Sequence, residues 1–106
     1  MNLYDINELR VKVTNIDKKD LYLNICKNIK KLRKERYNEF KKLIKDKKVS
    51  NTINPYTTES IAELLNYNHT HYKRFESEND KTKMIPLDKI IKLALIFDVD
   101  INEIIK

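Results

Sequence analysis

A chain of 106 residues has room for one domain and one modest core, with no second unit to carry a separate activity. Apolar residues at 41% and charged residues at 36% describe a globular domain with a heavily solvated surface, and a net charge of +6 favours a polyanionic partner. The absence of any glycine excludes glycine-rich phosphate loops, nucleophile elbows and the dinucleotide fingerprint together.

The charge is lopsided. Residues 1–50 hold 15 Lys/Arg against 7 Asp/Glu, whereas residues 51–106 hold 7 against 9. Such asymmetry points to an oriented contact with something anionic rather than to solubility alone. The single cysteine, Cys26, can form no intrachain disulfide. Residues 1–4 run straight into Asp5 without a signal-peptide pattern, and no apolar run approaches the roughly 18 residues of a membrane span. A cytoplasmic protein without membrane contact is therefore expected, and the sequon Asn68-His69-Thr70 is a chance match.

Residues 1–17 carry two competing periods. Leu9, Val11 and Val13 alternate with Arg10, Lys12 and Thr14 as in a strand, while Ile6, Leu9, Val13 and Ile16 fit one helical face. A short strand is the favoured reading, paired with residues 49–53 or with a second subunit. Residues 18–48 predict one long helix, since Tyr22, Ile25, Cys26, Ile29, Leu32, Arg36, Phe40, Leu43 and Ile44 recur three and four apart. Residues 49–55 form the clearest loop, ending at Pro55. Short helices follow from Thr57 or Thr58 to about Leu65, from Asn68 to about Ser77, and from Pro86 to about Phe97. Residues 78–83 are a polar loop. Asp100 and Glu103 form a capping-box pair for a last turn over residues 101–105.

Residues 58–77 are the informative segment. Two helices cross closely only where the first offers a small side chain, and Ala62 stands there. The tight turn needs a left-handed residue four positions later, where Asn66 is the most tolerant type after glycine. Ile61, Leu65, Tyr67, Tyr72 and Phe75 supply a shared core, leaving His69, Thr70, Lys73 and Arg74 facing outward.

Here the chain resembles the Xre family of lambda-repressor-like, Cro-type helix-turn-helix regulators. Ile25-x-x-x-Ile29-x-x-Leu32-Arg33 is similar to the family's first helix, and Thr57-Thr58-Glu59-Ser60-Ile61-Ala62-Glu63-x-Leu65 to its second. Residues 68–76 resemble the third, with Glu76 at the family's usual glutamate. Residues 86–94 and 99–105 are similar to the fourth and fifth. The resemblance covers about 70 of the 106 residues. It implies an all-α, five-helix lambda-repressor-like domain over residues 18–106, with an extended basic first helix and an insertion at about 38–55. Residues 1–17 would precede it as a short, β-like segment or dimerisation arm.

The resemblance also implies roles. His69, Thr70, Lys73 and Arg74 would lie nearest DNA base edges, where an arginine can fork onto guanine. Thr58, Asn68, Ser77, Asn79, Lys81 and Lys83 would meet phosphates, which set register without reading sequence. Arg33 and Glu76 occupy positions that form an internal ion pair in some relatives. Departures stand beside these likenesses. Roughly 18 extra residues separate the first and second helices, Tyr72 and Phe75 replace small aliphatics, and Asn66 replaces glycine. A shifted reading, with Phe40-x-x-Leu43 as the first helix, shortens the insertion but loses the arginine.

The remaining features have plainer explanations. Residues 27–48 carry 11 basic and 3 acidic side chains, first of all a solvated helix face and secondly a further phosphate-contacting surface. His69 and His71 diverge by about 200° on a helix and share no metal site, so no metal or cofactor is expected. His69 is read as outward-facing and His71 as half-buried, with Cys26 a buried structural thiol. Asp98-x-Asp100-x-Asn102 imitates a calcium loop but has Glu103 where glycine is required. No carboxylate pairing suggests acid–base catalysis, so a non-enzyme is expected. The expected function is sequence-specific duplex DNA binding by a homodimeric repressor of the kind found in mobile elements. The alternatives are a protein-interaction module, such as an antitoxin or inhibitor with a repurposed helix-turn-helix unit, and non-specific nucleic-acid packaging.

Overall fold

The computed structural model of the chain describes residues 5–48, 53–78 and 84–106, and among them all regular structure is helical. In chain order the elements are α1 (Ile6–Thr14), α2 (Lys18–Lys45), α3 (Thr58–Leu64), α4 (His69–Glu76), α5 (Leu87–Phe97) and α6 (Asn102–Ile105).

The strand expected in residues 1–17 is corrected to α1, which adds a sixth helix to the five expected. The reason is backbone satisfaction. A lone strand leaves its peptide groups open, whereas a helix pairs them internally. Asp5 caps the helix start by accepting from the N–H groups of Asn7 and Glu8 at 2.9 and 3.4 Å, and the Thr14 hydroxyl donates back to the Arg10 carbonyl. Of the partner strand considered, residues 49–52 lie outside the described residues, and Ile53 is exposed.

The spine is α2, whose 28 residues extend about 42 Å at the usual rise. Asp17 caps its start. Its inward stripe of Ile25, Cys26 and Ile29 is buried, and α4, α5 and α6 all pack on it, with α3 held against α4. Ile61, Ala62, Leu65, Tyr72, Phe75, Ile85, Ile90, Leu93, Ala94, Phe97 and Ile104 complete one core. Behind it, the Asn28 side-chain amide donates to the carbonyls of Ile104 and Lys106 at 2.9 and 2.7 Å, and the Asn24 amide also donates to Lys106. The expected pairing of Asp100 with Glu103 takes a simpler form: the Asp100 carboxylate accepts from the N–H of Asn102 at 2.9 Å.

The inserted segment is fastened to this core. Beyond Arg33, α2 continues without a break to Lys45. Arg36 Nε donates to the Phe97 carbonyl at 2.8 Å, a cation on the open end of α5. The Tyr56 ring lies 6.4 Å from both Phe40 and Phe97, and Asn54 bridges the Tyr37 carbonyl and the Tyr56 N–H. The loop thereby returns the chain to the base of α3.

Among the described residues, three helices end on a left-handed residue, and none of the three is glycine. Lys47, Asn66 and Asp98 have φ of 57°, 61° and 54°. In each case the two N–H groups at the stop reach back to the carbonyls of the last turn, as with Tyr67 to Ala62 and Asn66 to Glu63. The first of these stops ends α2 three residues short of the expected 48. A non-glycine residue in this conformation carries a steric cost that glycine avoids. Lys47→Gly is expected to raise stability by about 0.5–1 kcal/mol, and Asn66→Gly by less, because asparagine tolerates the conformation better. Urea midpoints at constant m-value measure both, and a fall in either midpoint would refute the steric account.

Candidate nucleic-acid interface

The turn joining α3 to α4 is built from side-chain chemistry. Thr57 accepts the N–H of Ser60 at 3.1 Å to start α3, and Asn66 reverses the chain at its end. Asn68 then accepts the N–H of His71 at 2.7 Å to start α4. Ala62 is buried between the helices, where a longer side chain would hold them apart.

The faces of α4 are sharply divided. Tyr72, Phe75 and Glu76 are buried, whereas Thr70, Lys73 and Arg74 are exposed on the outer side. Two shallow clefts flank the outer face, one lined by Asn68, Thr70, His71 and Arg74 and the other by Lys30, Arg33, Thr58, Lys73, Glu76 and Ser77. Thr58 and Ser77 thus meet Lys73 at one cleft, and Asn68 meets Thr70 and Arg74 at the other. Asn79, Lys81 and Lys83 lie outside the described residues.

His69 is half-buried, and its Nε2 makes a 2.7 Å hydrogen bond with the Thr58 hydroxyl, tying the start of α4 to the start of α3. His71 is exposed rather than half-buried. Its ring centroid lies 4.4 Å from that of Tyr67 and 5.4 Å from that of Phe75, tilted against both. The helical angle between the histidines was legible; which of them met Thr58 depended on how α3 lies over α4.

Beneath the outer face lies an ion pair. Arg33 Nε and Nη2 donate to the two carboxylate oxygens of Glu76 at 2.6 and 2.9 Å, while Nη1 donates to the Tyr56 carbonyl at 3.1 Å. The side chains are only 11% and 8% exposed. Burial pulls the Arg33 pKa down, but the hydrogen bond and charge of Glu76 outweigh it, and the net shift is upward. The Tyr72 hydroxyl is sealed alongside and, among the described residues, meets no hydrogen-bond partner of normal geometry. Burial, reinforced by the negative charge of Glu76, pushes this phenol far above its ordinary pKa and keeps it neutral. A doubly donated carboxylate fixes the pitch of α4 against α2 more firmly than a single hydrogen bond would.

Two further lysines join the site, Lys30 from the basic face read in residues 27–48 and Lys89, which carried no sequence signal. Lys30 approaches Glu78 at 3.8 Å at the edge of one cleft. Lys89 donates to the Leu65 carbonyl at 2.8 Å and lies 5.0 Å from the Tyr67 ring centroid, bracing the turn from α5.

Among the described residues no helix is long and apolar enough to cross a membrane, and no group of three or more His, Cys, Asp or Glu could hold a metal ion. Compared with protein-family models, with curated proteins and with solved structures, the chain gives no match.

Proposed function

We propose that this chain is a sequence-specific duplex-DNA-binding protein whose α3–α4 pair is a lambda-repressor-like helix-turn-helix unit, with α4 as its recognition helix. The observation that carries the reading is the division of α4. Thr70, Lys73 and Arg74 project outward from a helix whose other face is clamped by the Arg33–Glu76 pair. A rigid, basic, outward helix suits the major groove, where Arg74 can fork onto guanine and Lys73 can reach a base or a phosphate. Thr58, Asn68 and Ser77 line the clefts flanking it, and such polar groups beside a recognition helix suit phosphate contacts. His69 is half-buried with its Nε2 engaged by Thr58, so its share of recognition is smaller than that of the exposed Arg74. The protein would act in the cytoplasm as a repressor, by occupying a promoter rather than by catalysis.

Selection of bound fragments from a random duplex library at two salt concentrations tests this. An enriched motif surviving the higher salt is expected. Arg74→Ala should leave the thermal melt unchanged and relax discrimination at one base pair by about 1–3 kcal/mol. Binding that enriches nothing and collapses steeply with salt would leave only phosphate contacts.

A second reading has its own observation. Leu87, Ile91 and Leu95 stand 64%, 46% and 77% exposed along one side of α5, an apolar stripe suited to a protein partner. Under this reading the chain is an antitoxin-like or inhibitor module. DNA binding that is lost on substituting α4 while partner capture persists would separate the two.

A further inference from the structure

We propose that α1 is a dimerisation helix whose occupant is α1 of a second copy, paired along a short coiled-coil seam. This inference does not depend on what α4 binds. The first observation is that α1 is formed and capped at its start, yet none of its residues is buried. A nine-residue helix without packing is marginal in water, because tertiary burial of one face supplies most helix stability. Among the described residues, its apolar face therefore lacks the burial that such a helix ordinarily needs.

That face has the spacing of a seam. Ile6, Leu9 and Val13 are separated by three and four residues and are each at least 42% exposed, while Ile16, also exposed, lies beyond the end of α1. In heptad terms Ile6 and Val13 are β-branched first positions and Leu9 is a leucine fourth position, the combination favouring two parallel strands.

The charges beside the seam select a copy of the same helix. Asp5, the capping residue just before α1, and Arg10, five residues later, fall on opposite sides of the seam, so two parallel copies bring each Asp5 towards the partner copy's Arg10. An antiparallel pair would instead set Asp5 against Lys12. The antiparallel pair would also bring Arg10 against the partner copy's Arg10, so the parallel one is favoured, and the Asp5 oxygen not engaged in capping is free to meet Arg10 there. With Asp5 and Glu8 against Arg10 and Lys12, the segment is neutral, in contrast to the basic face of α2, which repels its own copy.

Sedimentation equilibrium of the full chain up to about 500 μM is the test, since a seam this short gives a weak dimer. A reversible monomer–dimer equilibrium is expected. Leu9→Asp should weaken it about 100-fold or more by placing a charge in the seam, and Arg10→Glu should weaken it severalfold. Neither should move the thermal melt of the monomer, because both side chains lie outside the core. Ile91→Asp should leave association unchanged. A chain that stays monomeric throughout, a dimer that Leu9→Asp leaves intact, or a dimer that Ile91→Asp abolishes would each overturn the proposal, the last by moving the interface to α5.

Discussion

Glu76→Ala is expected to lower the unfolding free energy by about 3–5 kcal/mol, because it leaves the Arg33 guanidinium buried with its charge uncompensated. In the native chain two of the three donating nitrogens of Arg33 go to Glu76, and only the contact with the Tyr56 carbonyl would survive. With Arg33 only 11% exposed, water entering from the adjoining cleft would replace the lost carboxylate only in part. The whole loss should not be ascribed to attraction within the pair, since desolvating two charges is itself expensive. Arg33→Met combined with Glu76→Leu is accordingly expected to recover most of the stability. Urea denaturation of the two single variants and the double variant measures this. An unaltered midpoint in Glu76→Ala would mean that the pair is energetically silent.

Phe97→Ala is the second large effect, also about 3–5 kcal/mol, from the lost burial of an aromatic ring and the cavity left behind. Phe97 is fully buried and sits beside Tyr56, while its carbonyl receives Arg36. Emptying its volume should loosen the Tyr56 backbone, which is the remaining support of Arg33. The losses in Phe97→Ala and Glu76→Ala should therefore be coupled, with the double variant losing less than the two singles predict by about 0.5 kcal/mol or more. Strict additivity would mean that the inserted loop and the ion pair are independent.

These residues also show how far the fold could be read from the chain. The turn at Asn66, the cap at Asn68 and the burial of Ala62, Tyr72, Phe75 and Cys26 follow from local rules and were legible. So was the long α2, apart from its last turn, where Lys47 adopts a left-handed conformation that sequence gives no reason to expect of a lysine. α1 went astray because its apolar residues satisfy two periods at once. The deciding term, the supply of partners for its peptide groups, belongs to the rest of the molecule. At the candidate interface the outward positions of Thr70, Lys73 and Arg74 come from helical geometry alone. The Thr58–His69 hydrogen bond and the Lys89 brace join residues 11 and 24 positions apart, and no local pattern announces them.

The burial of Cys26 gives the molecule an internal clock. It is the chain's single cysteine and only 1% exposed, on the stretch of α2 that faces the core. A thiol reagent in solution can reach it only when that stretch parts from its neighbours. If reclosing is fast relative to modification, the labelling rate reports the free energy of opening. Labelling that requires global unfolding would mark α2, α4 and α5 as one cooperative unit, while faster labelling would expose a partial opening of the spine.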